Sequence, residues 1–211
     1  MKHTFFVTGI STEVGKTVVS AILTECLEAD YWKPIQAGEL HHTDSDKVRQ
    51  LLSNQNTKIH PSYAELQTPM SPHAAAAIDD VSIQISDIKR PKTKNHLVIE
   101  GAGGLLVPVN NTETIANIIA PTDQVIIVSR HYLGSINHTL LTVEALKNKG
   151  LNIFGIIFSG AAHPTTESSI ATMSQVPIIG RVDEEPYFDK NVVKEYAQIF
   201  SEKINARFEA P

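Results

Sequence analysis

Apolar and polar residues alternate along this chain in blocks. Apolar runs occur at residues 4–8, 31–35, 96–100, 124–129, 151–158 and 176–180. Several of these runs are apolar at consecutive positions rather than at every second position, as in Phe5, Phe6 and Val7. Consecutive apolar residues are typical of strands that are covered on both faces in a parallel sheet. The runs therefore predict the strands of a buried parallel sheet.

Helical patterns lie between these runs. Apolar residues recur at spacings of three and four in two stripes, and a third pattern near the end predicts a closing helix: Val18, Val19, Ile22, Leu23, Cys26 and Leu27; Ile136, Leu140, Val143 and Leu146; Val192, Val193, Tyr196 and Ile199. Strands that alternate with helices predict an α/β fold, with helices on both faces of the sheet. We expect one domain over residues 1–211, with segment 38–94 forming helices and loops beside the active site.

Composition and charge restrict the kinds of partner and the compartment that we expect for this protein. The net charge of −5 argues against a dedicated nucleic-acid binder, since phosphate backbones are held by surplus Lys and Arg. No apolar run approaches the 18 residues or so of a membrane span, and no signal-peptide pattern opens the chain. The single cysteine, Cys26, favours a reducing compartment. We therefore expect a cytoplasmic protein without nucleic-acid or membrane partners.

The strongest motif is the segment from Gly9 to Thr17, with the sequence GISTEVGKT, between a predicted strand and a predicted helix. This is the context of a phosphate-binding P-loop, in which backbone amides cradle a triphosphate. Lys16 would reach the β and γ phosphates, and the Thr17 hydroxyl would bind Mg²⁺. Five residues rather than the usual four separate Gly9 from Gly15. The alternative is a Gly-Lys-Thr that only begins a helix. The motif favours a P-loop NTPase-like fold.

Two further residues follow predicted strands. Glu100 opens the sequence EGAGG directly after the run at 96–100, where open α/β sheets bind ligands. Its carboxylate suits Mg²⁺, although the segment is also compatible with a simple turn. Lys33 lies within or just past the second predicted strand, and would face an anion if buried or snorkel to the surface if not.

Two other segments allow both structural and functional interpretations. Asp44 and Asp46 begin a predicted helix, and one would cap it while the other binds metal. The segment 133–138, LGSINH, starts another helix, with Ser135 as a plausible N-cap and free amides that would hold a carboxylate.

In combination these motifs resemble the dethiobiotin synthetases, the ATP-dependent carboxylases of biotin biosynthesis. The similarity runs along nearly the whole chain, and the five-residue P-loop spacing is typical of that family. The matching segments are VTG at 7–9, TEVGKT at 12–17, KP at 33–34, SD at 45–46, SPH at 71–73, EGAGG at 100–104, LG at 133–134 and INH at 136–138.

The resemblance implies an ATP-dependent ligase. The family's substrate, 7,8-diaminopelargonate, reacts with CO₂ to give a carbamate, which attacks the γ-phosphate of ATP. The neighbouring amine then closes a ureido ring, releasing dethiobiotin, ADP and phosphate. The resemblance also implies Mg²⁺ as cofactor and a homodimer with the substrate site at the subunit interface.

It assigns roles to residues in the same way. Lys16 and Lys33 would be catalytic, and Thr17, Asp46 and Glu100 would hold Mg²⁺. Substrate would contact Thr12, Lys33, Ala37, Gly134, Ser135 and Asn137, the last three from the partner subunit. The nucleotide would contact Glu13, Val14, Gly15, Lys16, Thr17, Val18, Asp46, Glu100, Gly101, Ala102, Gly103, Ser159, Val182 and Asp183.

Three positions depart from the family pattern. Ala37 stands where many relatives have Ser or Thr, which removes a hydroxyl near the carbamate. Ser159 takes the place of an adenine-reading Asn, and the segment from Gly180 to Asp183 (GRVD) replaces a Gly-x-Ile-Pro segment near the base. Two changes on the base side predict relaxed nucleotide choice.

Two other functions compete with this interpretation. A partitioning or cell-division ATPase would carry a further lysine near the start of the P-loop, and none occurs among residues 11–14. A cobyrinic-acid-type ligase usually needs an added glutaminase domain, for which 211 residues leave no room.

Overall fold

The apolar runs form the strands of one central sheet. The computed structural model describes residues 2–209, so the ends of the expected domain, at 1, 210 and 211, lie outside the described residues. The strands are β1 Thr4–Gly9, β2 Asp30–Trp32, β3 Ile35–Ala37, β4 Ile59–His60, β5 Ala64–Leu66, β6 Leu97–Gly104, β7 Gln124–Arg130, β8 Ile153–Ser159 and β9 Ile178–Val182. The α-helices are α1 Lys16–Leu27, α2 Asp44–Leu51, α3 Pro72–Ile78, α4 Ser135–Asn148, α5 Pro164–Ser174 and α6 Lys190–Glu209.

Seven strands pair in the order β4-β2-β6-β1-β7-β8-β9, and every pair is parallel. Helices α1, α2 and α6 pack together, while α4 and α5 form a separate packed pair. Strand β1 lies in the middle and is buried along nearly its whole length. The predicted parallel α/β fold with helices on both faces is confirmed. No helix of the described residues is long and apolar enough to span a bilayer.

The run at 31–35 is not one strand. It breaks at Lys33 and Pro34, and β3 leaves the main sheet to pair with β5 in a separate two-stranded parallel sheet. Proline has no amide hydrogen to donate to a ladder, which explains the break. The Pro34 carbonyl accepts the amides of Tyr63 and Ala64, at 2.9 and 3.1 Å, and so links the two sheets. Segment 38–94 thus contains short strands in addition to the predicted helices and loops.

The carboxyl ends of β6, β1 and β7 meet at one edge of the sheet. From β1 the chain continues to β2 on one side, and from β6 it crosses over β1 to β7 on the other. Such a switch in strand order opens a crevice above the strand ends. The P-loop, Lys33 and Glu100 all lie at this edge.

Candidate active site

The P-loop turns tightly between β1 and α1. Gly15 has φ +91°, a conformation that favours glycine, and it directly precedes α1. A Cβ at Gly9 would come within 2.6 Å of Val14 Cγ2 and 2.7 Å of the Ser11 carbonyl. Both glycines are therefore required, which supports Gly9 as the first position of the motif despite the extra residue. The loop closes over Lys16, whose Nζ donates to the Ser11 carbonyl at 3.0 Å.

Lys16 is a buried cation next to a second one. Only 7% of Lys16 is exposed. Burial, reinforced by the charge of Lys33, lowers the pKa of Lys16 to about 8, against the partial compensation of Glu100 and Asp44. A lysine in this condition gains from an incoming polyanion, since the anion restores a favourable environment for its charge.

Lys33 lies where β2 ends, and it is 4% exposed. Its Nζ lies 2.7 Å from Asp44 Oδ2 and 2.9 Å from Glu100 Oε1, and it donates to the Gly101 carbonyl at 3.3 Å. Burial alone would lower the pKa of Lys33, but the two carboxylates outweigh it, so the pKa lies above its ordinary value. The snorkelling alternative is wrong, and Lys33 is a charged group inside the site.

Glu100 is the centre of this network and is 1% exposed. Its Oε1 accepts from Thr17 Oγ1 at 3.0 Å as well as from Lys33. Its Oε2 accepts from the Tyr31 phenol at 2.8 Å. Burial, together with the Glu100 charge, raises the pKa of Tyr31 well above its ordinary value, so the phenol stays protonated.

Sequence reasoning missed Tyr31. The available signal was strand alternation, because residues two apart in a strand point to the same face and Tyr31 precedes Lys33 by two. The pairing of Tyr31 with Val98 and of Trp32 with Ile99 brings the next pair, Lys33 and Glu100, to the same level.

The two aspartates of α2 have roles opposite to those expected. Asp46 forms a capping box with Thr43, its amide donating to Thr43 Oγ1 at 3.1 Å and its Oδ2 accepting from the Thr43 amide at 3.1 Å. Its other oxygen accepts from Arg49. Asp44 instead lines the cleft and is tied to Lys33, with its amide donating to Gln36 Oε1 at 3.2 Å. Asp46 is not on the cleft wall, so we expect the metal and nucleotide contacts from Asp44 rather than from Asp46.

These groups line one cleft of about 1150 Å³, a size that suits a nucleotide with a small substrate. The expected residues on its wall are Thr12, Glu13, Gly15, Lys16, Thr17, Val18, Lys33, Ala37, Glu100, Ala102 and Gly103. Lys47, Arg130 and His138 also line the cleft, and no sequence motif singles out Lys47 or Arg130. Of the other expected residues, Val14 is buried in the core. Gly101 is connected to the cleft by the hydrogen bond that its carbonyl oxygen accepts from Lys33.

The oxygen atoms of Thr17, Asp44 and Glu100 form a donor set for a hard cation. Lys33 joins both carboxylates, and the Thr17 hydroxyl donates to Glu100. The Lys33 charge holds the pKa of Asp44 below its usual value despite burial, so the Asp44 carboxylate is ionised. One or two carboxylates with a hydroxyl and phosphate oxygens are what Mg²⁺ takes in proteins, and these residues fit it.

The expected base side lies beyond the P-loop. Ser159 ends β8 opposite Val182 of β9, and its Oγ would be 2.8 Å from a Cβ placed on Gly15. Asp183 accepts from Arg181 Nε at 2.5 Å, and its amide donates to the Tyr196 hydroxyl. None of Ser159, Val182 and Asp183 lies on the wall of the main cleft. Their contact with a base stays a prediction.

The segment before α4 differs from its predicted form in one respect. Gly134, with φ +102°, is the N-cap, and Ser135 is the first helical residue, so the Ser135 cap was wrong. The Ser135 amide donates to the Tyr132 carbonyl at 2.9 Å, and Ser135 is buried, whereas Asn137 is exposed. Gly134, Ser135 and Asn137 do not line the cleft of their own chain. Leu133 beside them is fully exposed.

Known proteins resemble this chain over most of its length. A protein of Christiangramia forsetii named ATP-dependent dethiobiotin synthetase BioD is 59% identical over 97% of this chain and 99% of its own. One of the same name from Cytophaga hutchinsonii is 47% identical over 92% of this chain and 94% of its own. This chain belongs to the dethiobiotin synthetase family. The motif resemblance and the assignment to ATP-dependent ligases are thereby confirmed.

Other comparisons describe the fold of this dethiobiotin synthetase family member. A family model described as an AAA domain matches residues 3–192. The septum site-determining protein MinD of Pyrococcus horikoshii has a TM-score of 0.61 at 14% identity, covering 99% of this chain and 97% of its own. A ParA family ATPase of Chlorobium tepidum has a TM-score of 0.52 at 12% identity, covering 100% and 95%. At these identities the partitioning ATPases share the fold alone.

Proposed function

We propose that this chain, as a single domain, converts 7,8-diaminopelargonate, CO₂ and ATP into dethiobiotin, ADP and phosphate. The proposal rests on the buried ion pair between Lys33 and Glu100, which lies beside Thr17 and Lys16 in one cleft. This arrangement gathers two ammonium groups at the P-loop, where the reaction brings together a carbamate and a triphosphate.

The proposed reaction has three steps. One substrate amine attacks CO₂ and loses a proton, giving a carbamate. A carbamate oxygen attacks the γ-phosphorus, and the bond from that phosphorus to the ADP oxygen breaks. The second amine then attacks the carbonyl carbon, the bond to the phosphate oxygen breaks, and loss of a proton leaves the ureido ring.

The reacting groups are anionic, so the site must position and neutralise them. Lys16 would bind the β and γ phosphates, because its ammonium lies inside the P-loop against the Ser11 carbonyl. Lys33 would face the carbamate and the transferred phosphoryl group. Its two carboxylate partners hold its ammonium in place before substrate arrives, which is the preorganisation that this kind of catalysis needs. Thr12 and Ala37 line the cleft and would contact the substrate.

Magnesium would be held by Thr17, Asp44 and Glu100. When bound, it supplies positive charge to the phosphate oxygens. The protein's own part is to keep the Asp44 carboxylate ionised, which the charge of Lys33 does.

The proposal includes a homodimer with the substrate site at the interface. Exposed apolar side chains occur at the cleft and in the segment before α4: Met70, Leu106, Tyr132, Leu133 and Leu141. Three of them, Met70, Leu106 and Leu141, also line the cleft. A second copy would cover this patch and bring its Gly134 to Asn137 segment to the substrate carboxylate, where the first-turn amides of α4 are suited to an anion.

The activity is tested by incubating the protein with diaminopelargonate, bicarbonate, ATP and Mg²⁺ and detecting dethiobiotin by mass spectrometry. We expect product that depends on all four components. A folded protein that yields no dethiobiotin contradicts the proposal, and hydrolysis of ATP that is independent of the diamine and stimulated by DNA or lipid favours the partitioning alternative.

The dimer is tested with Leu133→Asp. Light scattering should show a dimer for the wild type and a monomer for the variant, and turnover should fall with dimer content. Met173→Asp on α5 is the matched control, since Met173 is also exposed but lies away from the cleft. A fully active monomer would overturn the shared site.

A further inference from the structure

The carboxylate of Glu100 is held from two opposite sides. On the open side, Oε1 accepts from Lys33 and Thr17, at 2.9 and 3.0 Å. On the closed side, Oε2 accepts from the Tyr31 hydroxyl at 2.8 Å, and Tyr31 is fully buried. Among residues 2–209, the Tyr31 phenol is the hydrogen-bond donor to Oε2. The two oxygens therefore have separate partners.

This division fixes the rotation of the carboxylate about its last bond. A buried carboxylate oxygen without a donor is costly, so it turns towards whichever donor is within reach. Without the phenol, that donor would be the Lys33 ammonium, which already contacts Oε1. If both carboxylate oxygens were bonded to the same lysine, neither oxygen would be held in a fixed orientation towards a metal ion.

We propose that Tyr31 is a positioning residue for the metal site. Its hydroxyl donates to Glu100 Oε2 on the closed side, so that Oε1 stays directed at the hydroxyl oxygen of Thr17. The inference rests on the proposed magnesium site. Tyr31 lies in β2, and Lys33 directly follows that strand, two residues later. One short segment therefore supplies both the cation of the site and the donor that orients its carboxylate. Partners behind metal ligands are worth about 10- to 100-fold in metal affinity or activity.

The test is Tyr31→Phe, which removes one oxygen atom from the core. Binding of Mn²⁺ is measured by electron paramagnetic resonance in the presence of saturating ADP, and metal-free ADP binding is measured alongside. We expect the Mn²⁺ dissociation constant to rise about 10- to 100-fold while metal-free ADP binding is unchanged. In turnover, the Mg²⁺ concentration for half-maximal rate should rise by a similar factor, with the KM for diaminopelargonate unchanged.

Trp32→Phe is the matched control. It removes a different buried donor of the same strand, the indole Nε1 that bonds the Pro61 carbonyl at 3.0 Å, and does not contact Glu100. A metal affinity in Tyr31→Phe within twofold of the wild type overturns the inference, as does an equal loss in Trp32→Phe.

A double-mutant cycle separates this inference from the proposed site itself. Glu100→Gln should weaken Mn²⁺ binding, and adding Tyr31→Phe should weaken it no further. If Glu100→Gln leaves metal binding intact, the proposed magnesium site fails. If Glu100→Gln weakens binding and Tyr31→Phe does not, only the positioning role fails.

If Tyr31→Phe does not fold, ¹³C-tyrosine NMR spectra of the wild type replace it. A tyrosine ring signal that shifts when Mg²⁺ and ADP are added to the wild type, but not when they are added to Glu100→Gln, supports the role. The absence of such a signal overturns it.

Discussion

The two ends of the nucleotide site are built differently. At the phosphate end, Lys16, Lys33 and Glu100 are each less than a tenth exposed and are bonded to one another or to the P-loop. At the end where a base is predicted to bind, called the base end below, Arg181 and Asp183 form an ion pair with side chains 29% and 52% exposed. The first set of charges is buried, and the second is partly exposed to solvent.

This difference separates chemistry from specificity. Buried charges interact strongly and tolerate little movement, whereas exposed pairs contribute about 1 kcal/mol or less. We therefore expect substitutions at the base end to change which nucleotide binds without disturbing the groups that act on its phosphates. Ser159 and Asp183, which depart from the family pattern, belong to this predicted base end, where substitutions are expected to cost the least stability.

The largest effect is expected for Lys33→Ala. Removing a preorganised cation should lower kcat about 10²- to 10³-fold. The change also leaves the carboxylates of Asp44 and Glu100 without their shared cation, so the free energy of unfolding should fall by about 3–5 kcal/mol. Steady-state kinetics below the melting temperature separates the two effects. Lys58→Ala, at an exposed lysine, is the control, and near wild-type turnover of Lys33→Ala would remove Lys33 from the chemistry.

The next effect is a pH dependence of nucleotide binding. Because burial lowers the pKa of Lys16 to about 8, its ammonium is lost as pH rises through this value. A bound triphosphate favours the charged form, so binding takes up a proton above pH 8 and the affinity falls as pH rises. Calorimetry with ATP and no divalent metal, from pH 7.5 to 9.5, should show a decline of up to about tenfold per pH unit.

Lys16→Gln serves as the control for that titration. Its binding should be weaker at pH 7.5 and nearly flat to pH 9.5. A wild-type profile as flat as that of the variant would contradict the assignment of the buried ammonium to the phosphates.

A smaller effect is expected at the base end. Ser159→Asn restores a carboxamide that both donates and accepts, and one such hydrogen bond is worth about 0.5–1.5 kcal/mol. The ratio of kcat/KM for ATP over CTP and GTP should be near unity in the wild type and rise about tenfold at most in the variant. A wild-type enzyme that already strongly prefers ATP at subsaturating concentrations contradicts relaxed nucleotide choice.

The smallest effect is expected for Asp183→Ala. The carboxylate pairs with Arg181 in the open, so the free energy of unfolding should change by less than about 1 kcal/mol, as measured by urea denaturation. A larger loss would mean that the base end is as tightly built as the phosphate end.

Much of the phosphate end could be predicted from sequence. Gly9, Gly15 and Lys16 form a local motif, and Glu100 follows a buried strand, so adjacent residues carry the signal. The choice between Asp44 and Asp46 could not be made, because both are compatible with a helix start and only packing against Lys33 decides it. Tyr31 was missed for a related reason. Its partner is 69 residues away, and a tyrosine in a strand is ordinary core material.

The break in the second apolar run has a consequence for how this enzyme family can vary. Lys33 directly follows β2 of the main sheet, and Pro34 directly precedes β3 of the small sheet formed by β3 and β5. Because the ladder stops there, a change in the small sheet does not propagate as a shift in register to the lysine. Residues 35–37 of the small sheet line the cleft, so their side chains could be exchanged while the Lys33 ammonium keeps its position. Pro34 thus separates the backbone that positions the cation from the backbone that shapes this part of the cleft wall.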